Sequence, residues 1–243
     1  GQKAFYSCDN LLNITIPGSV KNIGDSAFNS CNNFATVTIQ NGVESIGNST
    51  FWQCDNLLNI TIPGSVKSIG NSAFFWCDNL ATVTIQDGVE SIGMSAFEAC
   101  TKLKSITIPG SVKSIGSSAF EECDNLATVT IQDGVESIGM SAFESCVSLT
   151  SVTIPDSVTN IGASAFRNCN NLMSVVIGSS VTEIGNDAFF SCDRLTEIYN
   201  RSALNITIGK GDNGEIGYYA KAVYTEPYKS RLMTDADGFV KYV

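Results

Sequence analysis

Histidine is absent from the 243 residues, and lysine and arginine together number 14 against 24 acidic residues. The first absence removes the commonest general base and the commonest metal ligand. The second leaves a net charge of −10 with no basic cluster, which argues against nucleic acid and anionic membrane surfaces as partners. Charged residues make up only 16% of the chain, well below the usual quarter. No apolar run approaches the roughly 18 residues needed to span a bilayer, so no membrane insertion is expected. There is no initiator methionine, signal peptide or anchor. Gly1 aligns with Gly24 of the repeat described next, so an excised piece of a longer protein is expected, and the missing targeting signal says nothing about that parent.

What the chain has in abundance is regularity. Cys8, Cys31, Cys54, Cys77, Cys100, Cys123, Cys146, Cys169 and Cys192 follow one another at intervals of 23 residues. Such a phase, without insertion or deletion, means one structural unit stacked on copies of itself, each touching only its neighbours. The count is odd and the spacing is that of the repeat, so a column of buried thiols filling apolar space is expected. Disulfides between adjacent units are the alternative.

Within each unit the pattern is C-x-x-L-x-x-[IV]-T-I-[PQ]-x-[SG]-V-x-x-I-G-x-S-A-F-x-x. Ile14-Thr15-Ile16 and Val83-Thr84-Ile85 alternate apolar and polar and are β-branched throughout, which predicts a short half-buried strand. Pro17-Gly18-Ser19 or Gln40-Asn41-Gly42 then supplies turn chemistry, and Gly24 allows a tight or φ-positive bend. A serine two residues after that glycine (Ser26, Ser49, Ser72) is a preferred N-cap, so A-F-x-x-C is read as one capped helical turn. Leu11, Ile14, Ile16, Val20, Ile23, Phe28 and Cys31 should stack in parallel columns, closing a core that no single unit can close.

The string L-x-x-I-x-I-P-x-S-V-x-x-I-G-x-x-A-F-x-x-C resembles the 23-residue leucine-rich repeat of Treponema-type, BspA-like surface proteins, from Gly1 to about Ile198. The resemblance implies an α/β repeat: a right-handed leucine-rich-repeat solenoid with a concave parallel β-sheet and short helical turns on the other side. It also implies an extracellular or cell-surface setting in a bacterium, with adhesion to an extracellular protein or glycan. The chain departs from the pattern after the strand, where Pro17, Gln40, Pro63, Gln86, Pro109 and Gln132 alternate. The residue after the turn valine alternates in step, Lys21, Glu44, Lys67, Glu90, Lys113 and Glu136, so duplication of a two-unit block is inferred. Stacking places unlike charges side by side and sets like charges together if the register slips by one unit.

Residues 1–198 are therefore read as the solenoid. Residues 199–243, which hold six of the seven tyrosines, are read as a cap or the start of a following module. There Ala203 to Ile208 could add a strand, Tyr218 to Tyr224 a short helix, and Leu232 to Tyr242 a hairpin around Asp235-Ala236-Asp237-Gly238. Gly209-x-Gly211-x-x-Gly214 matches a dinucleotide fingerprint without the βαβ context that the motif needs. Asp212-Asn213-Gly214-Glu215 lacks the spacing of a calcium loop. No residue is placed to activate a hydroxyl, so no enzyme, cofactor or metal site is expected, and the chain is expected to be monomeric.

Two surfaces remain as ligand-binding candidates. One is the concave face, defined by Thr38, Thr61, Thr84, Thr107 and Thr130, whose hydroxyls suit hydrogen bonding to a glycan or protein loop; β-propensity alone also accounts for them. The other is an aromatic departure from the repeat at Trp52, Phe75 and Trp76, suited to a binding hot spot or to packing against adjacent units. A spacer holding other domains away from the cell is the alternative to a binding module.

Overall fold

The computed structural model describes residues 1–225, 232–234 and 240–242. Four-residue strands begin at Asn13 and recur every 23 residues to Glu197–Asn200, the one at Ser151–Thr153 being a residue shorter. Two-residue strands begin at Asn22–Ile23 and recur in the same phase to Glu183–Ile184. The short strands all pair in parallel with their neighbours, and the long strands pair in parallel except at the two junctions described below. The result is a parallel β-solenoid of about nine turns with two ladders, one of long strands and one of short. The long strands read exposed, buried, exposed, buried, as the alternation of Thr-Val-Thr-Ile dictates.

The core consists of the predicted columns. Phe28 and its equivalents to Phe189 are buried. With Phe5 they form a continuous ring stack with centroids 5.0–5.3 Å apart and planes within 13° of parallel. All nine cysteines are free thiols. Each from Cys31 onward donates its S–H to the carbonyl oxygen of the core phenylalanine one unit earlier, as Cys54 does to Phe28 at 3.1 Å and Cys77 to Phe51 at 3.0 Å. The column therefore satisfies buried backbone acceptors as well as filling space. Burial pushes the thiols up, Cys77 and Cys192 to about 12.

The expected helical turns do not form. Ser26 and Ser30 have φ of 53° and 57°, and the equivalent positions repeat this in every unit. Each left-handed residue closes a turn, such as Gly24 C=O to Ala27 N–H at 3.1 Å and Phe28 C=O to Cys31 N–H at 3.3 Å. The amides between them leave the unit: Ser26, Phe28 and Ser30 donate to Asn48, Thr50 and Trp52 of the next one at 2.7–2.8 Å. An i→i−4 helix would keep those N–H groups for itself, whereas stacking rewards sending them outward. Serine tolerates the left-handed region and is also a preferred cap, which is why Ser-Ala-Phe fits either structure. Gly24 and its equivalents are not φ-positive. They are glycines because the preceding unit's backbone approaches too closely for a Cβ.

The Pro/Gln alternation weakens every second junction of the long-strand ladder as far as Pro155, leaving sheets of four, two and four strands. Gln40, Gln86 and Gln132 each donate a backbone N–H to the isoleucine 24 residues earlier at 3.0 Å, and their strands pair over all four residues with the strand before. Proline has no N–H to give. Where Pro63 stands, the ladder keeps one residue pair, Thr36 with Asn59. Where Pro109 and Pro155 stand, no strand pairing forms among the described residues. The short-strand ladder is continuous over eight strands, so the openings lie on one side only. The ion pairs Lys21–Glu44, Lys67–Glu90 and Lys113–Glu136, at 2.9–3.2 Å, fall at the fully paired junctions. Being largely exposed, each contributes about 0.2–1 kcal/mol.

Pro109→Gln tests this directly. The introduced amide at 109 should bond to Ile85, and its hydrogen exchange should be as protected as that of Gln132. Unprotected exchange at that position would show that something other than the missing donor holds the strands apart. Stability should change little, because a hydrogen bond worth about 0.5–1.5 kcal/mol is set against a lost proline constraint worth about 0.4–1 kcal/mol.

Beyond the repeats, Ala203 to Ile208 forms no strand, and Tyr218 to Tyr224 is not a helix. Ala222–Thr225 is instead a strand paired in parallel with Glu197–Asn200. Val223, Tyr224 and Thr225 suit a strand, and the open ladder edge supplies partners. Phe189 N–H donates to Gly214 C=O at 2.8 Å, so the glycine-rich loop packs on the last turn. Leu232–Thr234 and Val240–Tyr242 pair antiparallel, as expected; the intervening Asp235-Ala236-Asp237-Gly238 lies outside the described residues.

Candidate functional site

Thr38, Thr61, Thr84, Thr107 and Thr130 are all exposed on one face of the long-strand ladder, as alternate positions of a strand must be. Thr38 and Thr61 flank the interface that keeps a single pair, Thr84 and Thr107 the opening at Pro109, and Thr130 the opening at Pro155. A cavity of about 230 Å³ occupies the Pro109 opening, lined by Thr82, Val83, Thr84, Ile85, Ser105 and Thr107. Sequence reasoning found the hydroxyls but missed the clefts between them. The signal was the Pro/Gln alternation, read together with the donor bond that proline removes.

Trp52, Phe75 and Trp76 come together on a different surface, the left-handed turn segment. Trp52 and Phe75 occupy the position after the core phenylalanine in adjacent units, with ring centroids 4.6 Å apart, and Phe75 and Trp76 are 5.1 Å apart. Trp52 and Phe75 are half-buried and Trp76 is 46% exposed. Trp76 also has φ of 57°, a left-handed conformation that costs a non-glycine residue about 1–2 kcal/mol. Its counterparts in four other units are serines, Ser7, Ser30, Ser145 and Ser191. The left-handed backbone belongs to every copy of this position, Gln53, Ala99, Glu122 and Asn168 included; what sets Trp76 apart is a large aromatic ring left half in water.

The column that contains Trp52 and Phe75 continues as Glu98, Glu121, Glu144, Arg167 and Phe190. Burial first, then the nearby Glu122, raises the Glu98 carboxyl above its ordinary range, against a hydrogen bond with Ser95. Burial, then Glu98, Glu144 and Glu122, raises Glu121, against a hydrogen bond with Ser118. Arg167 lies 3.8 Å from Glu144 and 5.1 Å from the Phe190 centroid. No cluster of three His, Cys, Asp or Glu residues suited to a metal occurs among the described residues.

A family model described as a BspA type leucine rich repeat region matches six copies, over residues 1–126 and 91–210. Among solved structures, the chain is similar to a leucine-rich repeat protein of Treponema pallidum, with 29% identity and a TM-score of 0.51, over 70% of this chain and 69% of that one. It is also similar to a leucine-rich cell surface protein of Faecalibacterium prausnitzii, with 27% identity and a TM-score of 0.46, over 93% of this chain and 82% of that one. No curated protein sequence matches significantly.

Proposed function

The chain belongs to the BspA-type leucine-rich repeat family, and from that premise we propose that it is a non-catalytic binding module of a bacterial cell surface, engaging an extracellular protein or glycan. The observation that carries the reading is the Trp52–Phe75–Trp76 cluster. Large rigid aromatics held at an accessible surface are the residues on which binding energy concentrates. The surface setting and the adhesive role are what the family resemblance implies. A second reading places the ligand on the threonine face, and it is favoured by the hydroxyl-lined opening between Thr84 and Thr107.

A glycan and matrix-protein array probed with the chain and with Trp52→Ala/Trp76→Ala tests the proposal. Binding should be present and should fall at least about tenfold in the double variant. Binding that survives there but falls in Thr84→Val/Thr107→Val moves the site to the threonine face. A folded chain that binds nothing on the array overturns the module reading in favour of a spacer.

A further inference from the structure

The turn-segment column carries a cation against its aromatic ring near each end. Lys3 Nζ lies 5.5 Å from the centroid of Tyr6, and the Arg167 guanidinium lies 5.1 Å from that of Phe190. Arg167 shows the full arrangement: an aromatic ring in the following unit and the carboxylate of Glu144 in the preceding one. The middle of the column brings rings and carboxylates together in adjacent units with no cation of the chain's own. Phe75 and Trp76 supply the rings, and Glu98 supplies the carboxylate one unit on, with Trp76 N–H bonded to Glu98 C=O at 3.0 Å. Among the described residues no lysine or arginine lies over Trp52, Phe75 or Trp76, and none is ion-paired to Glu98 or Glu121.

We propose that this surface docks a basic segment of a partner protein, with an arginine or lysine side chain over Trp76 and Phe75 and its charge, or the next one along, against Glu98 and Glu121. The inference rests on the binding-module reading and names the partner's chemistry. Cation–π contact and ion pairing act together at such a site, as they do for Arg167, which lies within 3.8–4.0 Å of Glu144 and Asp187. The two carboxylates are partly desolvated and crowded by Glu122 and Glu144, so a guest cation relieves a repulsion already present. A net charge of −10 draws such a segment in. Trp76, the one aromatic among the copies of its position, and 46% exposed, supplies the ring face such a cation needs.

Trp52 and Trp76 are the chain's two tryptophans, so fluorescence excited at the red edge, where tyrosine does not absorb, reports on this patch. Titration with the blocked peptide (Gly-Arg)4 should give a saturable change, and (Gly-Gln)4 should give none. Glu98→Gln/Glu121→Gln and Trp76→Ser should each weaken binding at least tenfold, the latter read from Trp52, with circular dichroism unchanged. Asp87→Asn/Glu183→Gln, which removes the same charge elsewhere, should weaken it less than twofold. No saturable response to the arginine peptide overturns the proposal. So does an equal response to the glutamine peptide, or equal weakening by both charge-removing pairs, which marks diffuse attraction. If the arginine peptide is inert while array binding is still lost in Trp52→Ala/Trp76→Ala, the cationic partner is wrong and the binding module stands. If the array is empty as well, both fall.

Discussion

Phe120→Ala should lower the unfolding free energy by about 3–5 kcal/mol, the range for emptying a large aromatic site in a packed core. Phe120 is fully buried and stacks on Phe97 and Phe143 at 5.3 Å on either side. The backbone around it is fixed by hydrogen bonds to both neighbouring units, Phe97 N–H to Ala119 C=O and Phe120 N–H to Ala142 C=O at 2.8 Å each. The site therefore has little room to collapse. In a linear array, stability is a sum of unit and nearest-neighbour terms, so a central defect should also divide the transition. Urea unfolding followed by circular dichroism should show a lower midpoint and a second step. Phe5→Ala, at an end and 39% exposed, should do far less. Equal small effects at both positions would mean that the ring stack does not couple the units.

Gly116→Ala adds one methyl group and should be nearly as damaging. Its Cβ would lie 2.5 Å from the carbonyl carbon and oxygen of Gly93 and 2.7 Å from Ile92 O. All three are backbone atoms of the preceding unit, so no side chain can rotate away and the units must separate. Overpacking costs about 1–3 kcal/mol and sometimes more; here the upper end is expected, because separation also weakens Gly116 N–H to Ile92 C=O at 3.0 Å. Gly211→Ala is the control: its Cβ meets nothing closer than Glu215 Cγ at 3.6 Å. Thermal melts of the two variants should differ by many degrees. A Gly116→Ala midpoint close to that of Gly211→Ala would mean that the stack has slack the structure does not show.

The period, the strands and the core columns were legible because they are local: a β-branched alternation and a 23-residue phase need no knowledge of neighbours. The thiol column was legible as buried, but its bonds to the phenylalanine carbonyls were not, since they join residues 26 apart. The turn segments were misread for a related reason. Ser26 presents the same residue to a helix cap and to a left-handed turn, and the decision is made by the carbonyls of Asn48 and Thr50 in the next unit. Gly24 was assigned to a bend when its reason is the closeness of another backbone. In the tail, Val223-Tyr224-Thr225 carried a strand signal that the neighbouring tyrosines and alanine obscured. At the candidate site, Trp52, Phe75 and Trp76 stood out as departures from the repeat, whereas the pairing of ring and carboxylate with a cation required the distances around Arg167.

The alternation of full and weakened junctions also bears on how such a gene can change length. Unequal recombination between near-identical copies can remove 23 codons as readily as 46, but the products are not equivalent. Losing 46 returns every junction to a kind already present. Losing 23 sets Lys21 beside Lys67 and Pro17 beside Pro63, with like charges adjacent and a donorless junction where a full ladder stood. Across the alternating units, from Lys21 to Glu136, a change by pairs is therefore the one that keeps both the ion pairs and the full junctions.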